Sequence, residues 1–327
     1  MNVLKNHDSE RRVLITGASG LLGSNLIFLN PGKWHCIAIS NTHPFTHTPE
    51  HTTQIQSNLL TEPLEALLDP VLPLDAIIHT AANTNVDQCE KEPALAKALN
   101  ADLPLRIAEY ARDHAIHLIH ISTDHIFDGK RGNYSENDVP NPINEYAKTK
   151  LAAEESILRT HKDHALIVRT NFFGYNMQDK KDLAGWMCSK LANNEHIRLF
   201  HDVFFSPLLV NSLISAIVEM AERTTTGVLH IAASDGCSKY EFGLMLAQAF
   251  NFDPQLIVPI SIDESDLAVP RPENMTLDTT VARKLLTTPL PTIAESIEHY
   301  RELSATGYGR MIKGLSPNAF RSERFRF

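Results

Sequence analysis

The stretch VLITGASGLLGSNL, residues 13–26, decides the fold. Four residues of apolar and β-branched character run into Gly17, Gly20 and Gly23, and apolar residues at helical spacing follow. A strand entering a helix through three glycines has a physical purpose. One glycine allows the tight turn, one lets the backbone approach a pyrophosphate, and one lets helix and strand pack closely. The helix that starts there offers unpaired N–H groups and the positive end of its dipole to phosphate oxygens. The spacing is GxxGxxG instead of the commoner GxGxxG, so the flanking strand and helix carry the assignment.

Working outward, the N-terminal half alternates short apolar runs with amphipathic segments, as a parallel α/β sheet requires. Strands are expected at Arg12–Thr16, His35–Ile39, Asp75–Thr80, Ile116–Ser122 and Ala165–Arg169, with a weaker one around Gln54–Ser57. Helical spacing marks Leu21–Leu29, Glu62–Leu68, Glu92–Asp113 and Asn144–Thr160. These intervals fit successive right-handed βαβ units. After Arg169 the pattern loosens. Helices are expected at Asp182–Asn193, Leu209–Arg223 and Lys239–Phe250, and short strands near Ile197–Leu199 and Val228–Ile231. Prolines 254, 259, 270, 272, 289 and 291 then imply wrapping loops and no second regular sheet. The last stretch, Gly307–Phe327, reads as a basic tail carrying Arg310, Lys313, Arg321, Arg324 and Arg326 against Glu323.

The chain has 327 residues, 43% of them hydrophobic and 21% charged, enough for one large domain or two packed ones. A formal net charge of −9 argues against nucleic acid or an anionic membrane as partner. The four cysteines at 36, 89, 188 and 237 form no CxxC and suggest no disulfide framework. The polar first dozen residues lack the apolar core of a signal peptide, and no apolar run approaches the ~18 residues of a membrane span. A cytoplasmic setting is the expectation.

Tyr146 and Lys150, in NEYAKTKLAAEES, lie four apart on a helical segment and so share one face. A nearby ammonium favours the phenolate, and a tyrosine tuned in that way can exchange a proton with a sugar or alcohol oxygen. Upstream, IHLIHISTDHIFDG (116–129) places Ser122 and Thr123 where a strand ends, at the sheet edge where doubly wound folds bind ligands. The second strand ends Ser40, Asn41, Thr42, with no carboxylate for an adenosine 2′-hydroxyl and no arginine for a 2′-phosphate. The pattern leans to NADP(H), with NAD as the alternative. Among the sixteen histidines, His43, His47 and His51 invite a metal reading, but Pro44 and Pro49 interrupt the helix that would align them, and no metal site is expected. His117 and His120 read as packed or hydrogen-bonded strand residues, and Cys89 as an inert cysteine.

Together these segments resemble the extended short-chain dehydrogenase/reductases, and within them the dTDP-4-dehydrorhamnose reductases and related nucleotide-sugar 4-ketoreductases. TGASGLLG (16–23), DAIIHTAANTNVDQCEKEP (75–93), STDHIFDG (122–129) and YSENDVPNPINEYAKTKLAAE (134–154) carry the likeness. LIVRTNFFG (166–174), FSPLLVNSLISAI (205–217), GVLHIAASDGCSKYEF (227–242) and RPENMTLDT (271–279) extend it, so that it spans roughly residues 12 to 300. The resemblance implies a Rossmann-type doubly wound α/β fold with a smaller C-terminal α/β substrate domain. The NAD(P)-binding part would occupy 11–170 with returning segments near 205–235, and the substrate part mainly 171–306, before the basic tail at 307–327.

It also implies site residues. Thr123, Tyr146 and Lys150 would be the catalytic triad, with Lys150 also bonding the nicotinamide ribose. Gly17, Ser19, Gly20, Leu21, Leu22, Gly23, Ser40, Ala81, Ala82, Asn83 and Asn100 would surround the cofactor, with Asn58 and Leu59 near its adenine. Ser122, Asp124, His125, Asn171, Phe205 and Arg271 would face the nucleotide sugar. His125 stands where the rhamnose-forming enzymes usually have Tyr, and Asn171 where they usually have Trp, which leaves the identity of the sugar open. The expected activity is NAD(P)H-dependent reduction of a 4-keto group on a nucleotide-activated deoxysugar by a homodimer, with Asp102–Asp113 and Asn144–Thr160 as contact surfaces. Two alternatives stand beside it: a nucleotide-sugar epimerase or dehydratase, and a non-catalytic NADP-binding regulatory subunit like that of methionine adenosyltransferase.

Overall fold

A computed structural model describes residues 10–178 and 181–314. Its frame is a seven-stranded sheet, every pairing parallel. The strands are β1 (Arg12–Thr16), β2 (His35–Ser40), β3 (Thr52–Gln56), β4 (Ala76–His79), β5 (His117–Ile121), β6 (Ala165–Arg169) and β7 (Gly227–His230). They lie in the order β7-β6-β5-β4-β1-β2-β3, so the winding reverses between β1 and β4. The carboxyl ends of those two strands open the crevice in which such sheets take ligands.

Strand alternation divides the core. Val13 and Ile15 of β1 face α1 (Leu21–Leu29), against which the helix Val210–Glu222 packs with Leu213, Ile214 and Ile217. Leu14 faces the other way, with Ile77 and Leu118, toward α2 (Leu103–Asp113) and α3 (Glu145–His161). Helices on both faces explain why the strands read as continuous apolar runs. A second core gathers Phe173, Met187, Leu199, Phe205, Phe242, Leu246, Ile297 and Tyr300.

Three expectations need correction. The segment 92–113 is not one helix: Val86–Lys91 and Pro93–Lys97 are short, a single π-helical turn spans Ala98–Asp102, and α2 follows. Pro93 and Pro104 lack the N–H that would continue the ladder, so each sits in the first turn of its own helix. The proline-rich region is more regular than loops. Ile257–Ile260 pairs in parallel with Ile197–Phe200, its Pro259 exposed on that short ladder, and Ile293–Ala305 is a helix started by a Thr292–Glu295 capping box. The tail reading fails at its start: Tyr308–Ile312 is helical, and the Tyr308 hydroxyl donates to Asn25 Oδ1 at 2.8 Å in the interior. The remainder of that stretch, with Arg321, Arg324 and Arg326, lies outside the described residues.

One buried network ties the frame to the loop after β5. The Arg169 guanidinium meets Glu154 of α3 through Nη2 at 2.7 Å and Nε at 3.1 Å, with both side chains almost wholly buried. His230 Nε2 lies 3.3 Å from Arg169 Nη1, and its Nδ1 is 3.0 Å from the Tyr134 carbonyl. Removing one partner of such a pair strands the other charge in the interior. Arg169→Met is therefore expected to cost about 3–5 kcal/mol, read as a shift in the urea-unfolding midpoint. A loss under about 1 kcal/mol would equate this pair with a surface one.

Candidate active site

The turn after β1 is shaped by near-contact of backbones. Gly17 has φ +64, and a Cβ on it would lie 2.7 Å from the Ala81 nitrogen, while one on Gly23 would lie 2.5 Å from the Gly17 carbonyl oxygen. Both positions therefore demand glycine. Gly20 caps α1 with no side-chain hydrogen bond, and the first turn holds no acid. Its amides thus end open, at the positive pole of the helix. Ser24 Oγ and its amide bond back to Gly20, fixing the turn.

Beside this turn lies a cavity of about 470 Å³, lined along one wall by Gly20, Leu21, Leu22, Ala82 and Lys150. Thr123, Asp124, His125, Tyr146 and Asn171 line another part. The structure thus brings together residues from positions 20 to 171. The 80–84 loop is held from behind by Asn100, whose Oδ1 accepts from the Asn83 amide at 2.8 Å and whose Nδ2 donates to the Asn83 carbonyl at 2.9 Å. Asn100 is fully buried and does not line the cavity, so it shapes the loop from behind. The π-helical turn carries it inward.

Tyr146 and Lys150 project from the first turns of α3, whose N-cap Asn144 accepts from the Ala147 amide at 3.0 Å. Burial pushes the Tyr146 phenol above its ordinary value, and a hydrogen bond with Thr123 pulls the other way. The lowering expected from Lys150 is not found. Lys150 leans away onto β5, donating to the Ile121 carbonyl at 2.7 Å, with His120 Nε2 3.1 Å from Nζ. Burial brings Lys150 itself down to about 8, against the pull of Glu154.

Another part of the lining is polar. Asp124 Oδ2 accepts from Asn171 Nδ2 at 2.8 Å, and Oδ1 from the Thr123 hydroxyl at 3.1 Å. The His125 ring meets Tyr146 edge-on at 5.8 Å, and its buried Nδ1 has no partner among the described residues. Burial lowers His125, Asp124 opposes, and Lys239 and Arg271 add to the lowering.

Several expected contacts are placed differently. Ser122 lines the cavity but commits its hydroxyl to Glu154. Phe205 belongs to the second core, only 1% exposed, with the Lys239 ammonium 3.2 Å above its ring. Leu59 is packed in the core beneath β2, and Asn58 turns its side chain back to the Leu60 amide. Arg271 pairs with Asp87 at 3.0 Å and bonds the Val269 carbonyl at 2.8 Å. Ser40 ends β2 with its hydroxyl buried and, among the described residues, without a partner.

Other cavity residues escaped the sequence reading: Asn176, Gln178, Lys181 and Asp182. Gln178 Nε2 donates to the Ser19 carbonyl at 3.0 Å, and burial raises Asp182 to about 6 against amides from Gly185 and Gly174. Their only signal was position after β6, the next strand end along the crevice. Lys239 was legible as the start of a helix but not as a charge beside Asp124.

The chain matches the RmlD substrate binding domain family over residues 11–305. It is 32% identical over 289 residues to a probable low-salt glycan biosynthesis reductase, Agl14, of Haloferax volcanii, covering 86% of this chain and 95% of that protein. It is 30% identical to methionine adenosyltransferase 2 subunit beta of Xenopus laevis, covering 84% and 82% respectively. Among solved structures, a hypothetical dTDP-4-dehydrorhamnose reductase from Sulfolobus tokodaii superposes with a TM-score of 0.75 at 33% identity, over 86% of this chain and 97% of that one. The dTDP-4-dehydrorhamnose reductase of Bacillus anthracis, solved in complex with NADP, gives 0.78 at 28%, over 89% and 99%. With this sheet, this glycine turn and a match over nearly all of its length, the chain belongs to the RmlD substrate binding domain family of extended short-chain dehydrogenase/reductases.

Proposed function

We propose that this protein reduces the 4-keto group of a nucleotide-activated deoxysugar with NADPH, the simplest substrate being dTDP-4-dehydrorhamnose. The observation that carries the reading is one cavity holding Thr123, Tyr146 and Lys150 beside an uncapped helix N-terminus. The residues fit a dinucleotide. A glycine cradle that any Cβ would fill lies at Gly17 and Gly23, and Ser40 keeps a buried, unpartnered hydroxyl at the end of β2. Gly20, Leu21 and Leu22 would hold the pyrophosphate, Ala81, Ala82 and Asn83 would border it, and Lys150 would hold the nicotinamide ribose. When bound, a reduced nicotinamide supplies the hydride.

The chain's own residues do the rest. Burial keeps Tyr146 as the phenol, the form that can give a proton to a carbonyl oxygen as it becomes an alcohol. Thr123 shares a hydrogen bond with that phenol at the strand end, and turning its one O–H from Asp124 to the bound substrate would let it orient the same oxygen. Asp124, His125 and Asn171 would form the polar surface for the sugar, and Arg271, paired with Asp87, would serve the nucleotide. The same reading makes the chain a cytoplasmic homodimer paired through Asp102–Asp113 and Asn144–Thr160, which sedimentation velocity tests. A second reading rests on the likeness to methionine adenosyltransferase subunits beta: an NADP-binding regulatory subunit.

The deciding experiment follows NADPH and NADH oxidation against a panel of nucleotide-4-keto sugars. Oxidation with one of them supports the reductase; silence, with a stoichiometric enzyme recovered by pull-down, supports the regulatory subunit. Tyr146→Phe is expected to lose about 10²–10⁴-fold in kcat while keeping NADPH affinity; full activity would overturn the assignment. With no carboxylate at the end of β2, Asn41→Asp is expected to weaken NADPH relative to NADH by roughly tenfold, measured by nicotinamide fluorescence. Because Lys150 is charged only below about 8, NADPH affinity should fall as pH rises through that value. A flat profile between pH 7 and 9 would show that this ammonium does not hold the cofactor.

A further inference from the structure

The lysine of the site is anchored from the sheet and not from its own helix, and the anchor is a histidine that the mechanism above leaves unused. The register explains how. Thr16 pairs with His79, and His79 with His120, so the three lie in one row across β1, β4 and β5. Strand alternation turns that row toward α3, the face shared by Leu14, Ile77 and Leu118. All three are buried to within 1% of full burial. Lys150 descends from α3 onto the end of the row, its Nζ 3.1 Å from His120 Nε2 and 2.7 Å from the Ile121 carbonyl oxygen.

An ammonium in the interior needs an acceptor for each N–H. The Ile121 carbonyl serves one. His120 can serve a second only as a neutral imidazole with its lone pair on Nε2, which puts the ring proton on Nδ1. Everything around the ring favours neutrality. His79 stacks on it with centroids 5.2 Å apart and contributes no negative charge, and among the described residues no group, carboxylate included, hydrogen-bonds His120 Nδ1. Glu154, one turn along α3, faces Arg169, and Tyr146, which lines the same cavity, remains a phenol. Burial, then the Lys150 charge, then His79 hold His120 well below the usual histidine range. His79, its Nδ1 2.6 Å from Thr16 Oγ1, is brought down to about 3 by burial and Lys150.

We infer that His120 is a positioning residue: as a permanently neutral acceptor it holds the Lys150 ammonium against β5, so that the remaining N–H points into the cavity. It touches neither substrate nor cofactor and acts only through the lysine. Loss of this acceptor disfavours the charged lysine, so Lys150 gives up its proton at lower pH and the alkaline limb of the rate profile moves down.

The kinetic part of the test rests on the reductase reading; the spectroscopic part does not. In the wild-type protein, ¹⁵N shifts of the His120 ring should report an unprotonated Nε2 and a protonated Nδ1 throughout pH 6–9. The opposite tautomer, or a ring that titrates in that range, overturns the proposal. His120→Leu should lower the midpoint of the Lys150 Cε resonance, assigned with Lys150→Met. It should also lower kcat roughly tenfold or more with the sugar KM nearly unchanged. His120→Gln, which returns an acceptor oxygen, should recover most of both. An unmoved lysine titration in His120→Leu, or His120→Gln no better than His120→Leu, overturns it as well. If His120→Leu does not fold, the tautomer and the Gln variant decide. Should no nucleotide sugar be reduced while tautomer and titration behave as stated, the reductase reading falls and the positioning role stands.

Discussion

The site depends on the approach of two backbones. Gly17, in the left-handed region, passes so close to Ala81 that no side chain fits between them. That contact joins the end of β1 to the end of β4 at the point where the winding of the sheet reverses. The helix N-terminus of Gly20–Gly23 and the 80–84 loop thereby become two sides of one crevice. Every other group of the site is placed relative to this floor: Lys150 and Tyr146 descend from α3, and Thr123 and Asp124 extend β5 toward it.

Holding polar groups inside the protein takes matched partners, and here they are arranged in closed sets. Asn83 and Asn100 satisfy each other twice, and Glu154 is shared by Arg169 and Ser122. Such sets fix geometry, because a shift of any member leaves a buried group unsatisfied. The exceptions are informative. Among the described residues, the buried atoms without a hydrogen-bond partner include Ser40 Oγ and His125 Nδ1, and also His79 Nε2 and His120 Nδ1, where neutrality is what the neighbouring lysine needs. A net charge of −9 is no obstacle to phosphorylated ligands under this arrangement, since open amides and single cations such as Lys150 and Arg271 act locally.

Asp124, His125 and Asn171 form a polar part of the cavity wall, with Lys239 close to Asp124. Asn171 is held by Asp124, and Asp124 by Thr123 as well, so the wall is a hydrogen-bonded unit continuous with the reacting centre. Under the proposed function, a surface built that way would discriminate among sugars by the hydroxyls it can pair, because unpaired polar groups on either side are costly.

The sequence by itself determined the sheet, the glycine turn, the helix carrying Tyr146 and Lys150, and the strand end carrying Thr123. Each is a local pattern: alternation, turn chemistry and helical spacing act over fewer than about twenty residues. Local pattern also had limits, since prolines at 254–291 suggested loops where a capping box starts a helix and Pro259 lies in a short strand. Only the tertiary structure decided where the side chains spend their hydrogen bonds. Lys150 turned to His120 instead of tuning Tyr146, Ser122 turned to Glu154, Asn100 to Asn83, and Phe205 into a core. Those choices depend on partners 17 to 32 residues away, or on another layer of the fold, and on burial, which reversed the expected direction for the Tyr146 phenol. Burial and long-range pairing are properties of the packed whole, so no spacing along the chain could record them.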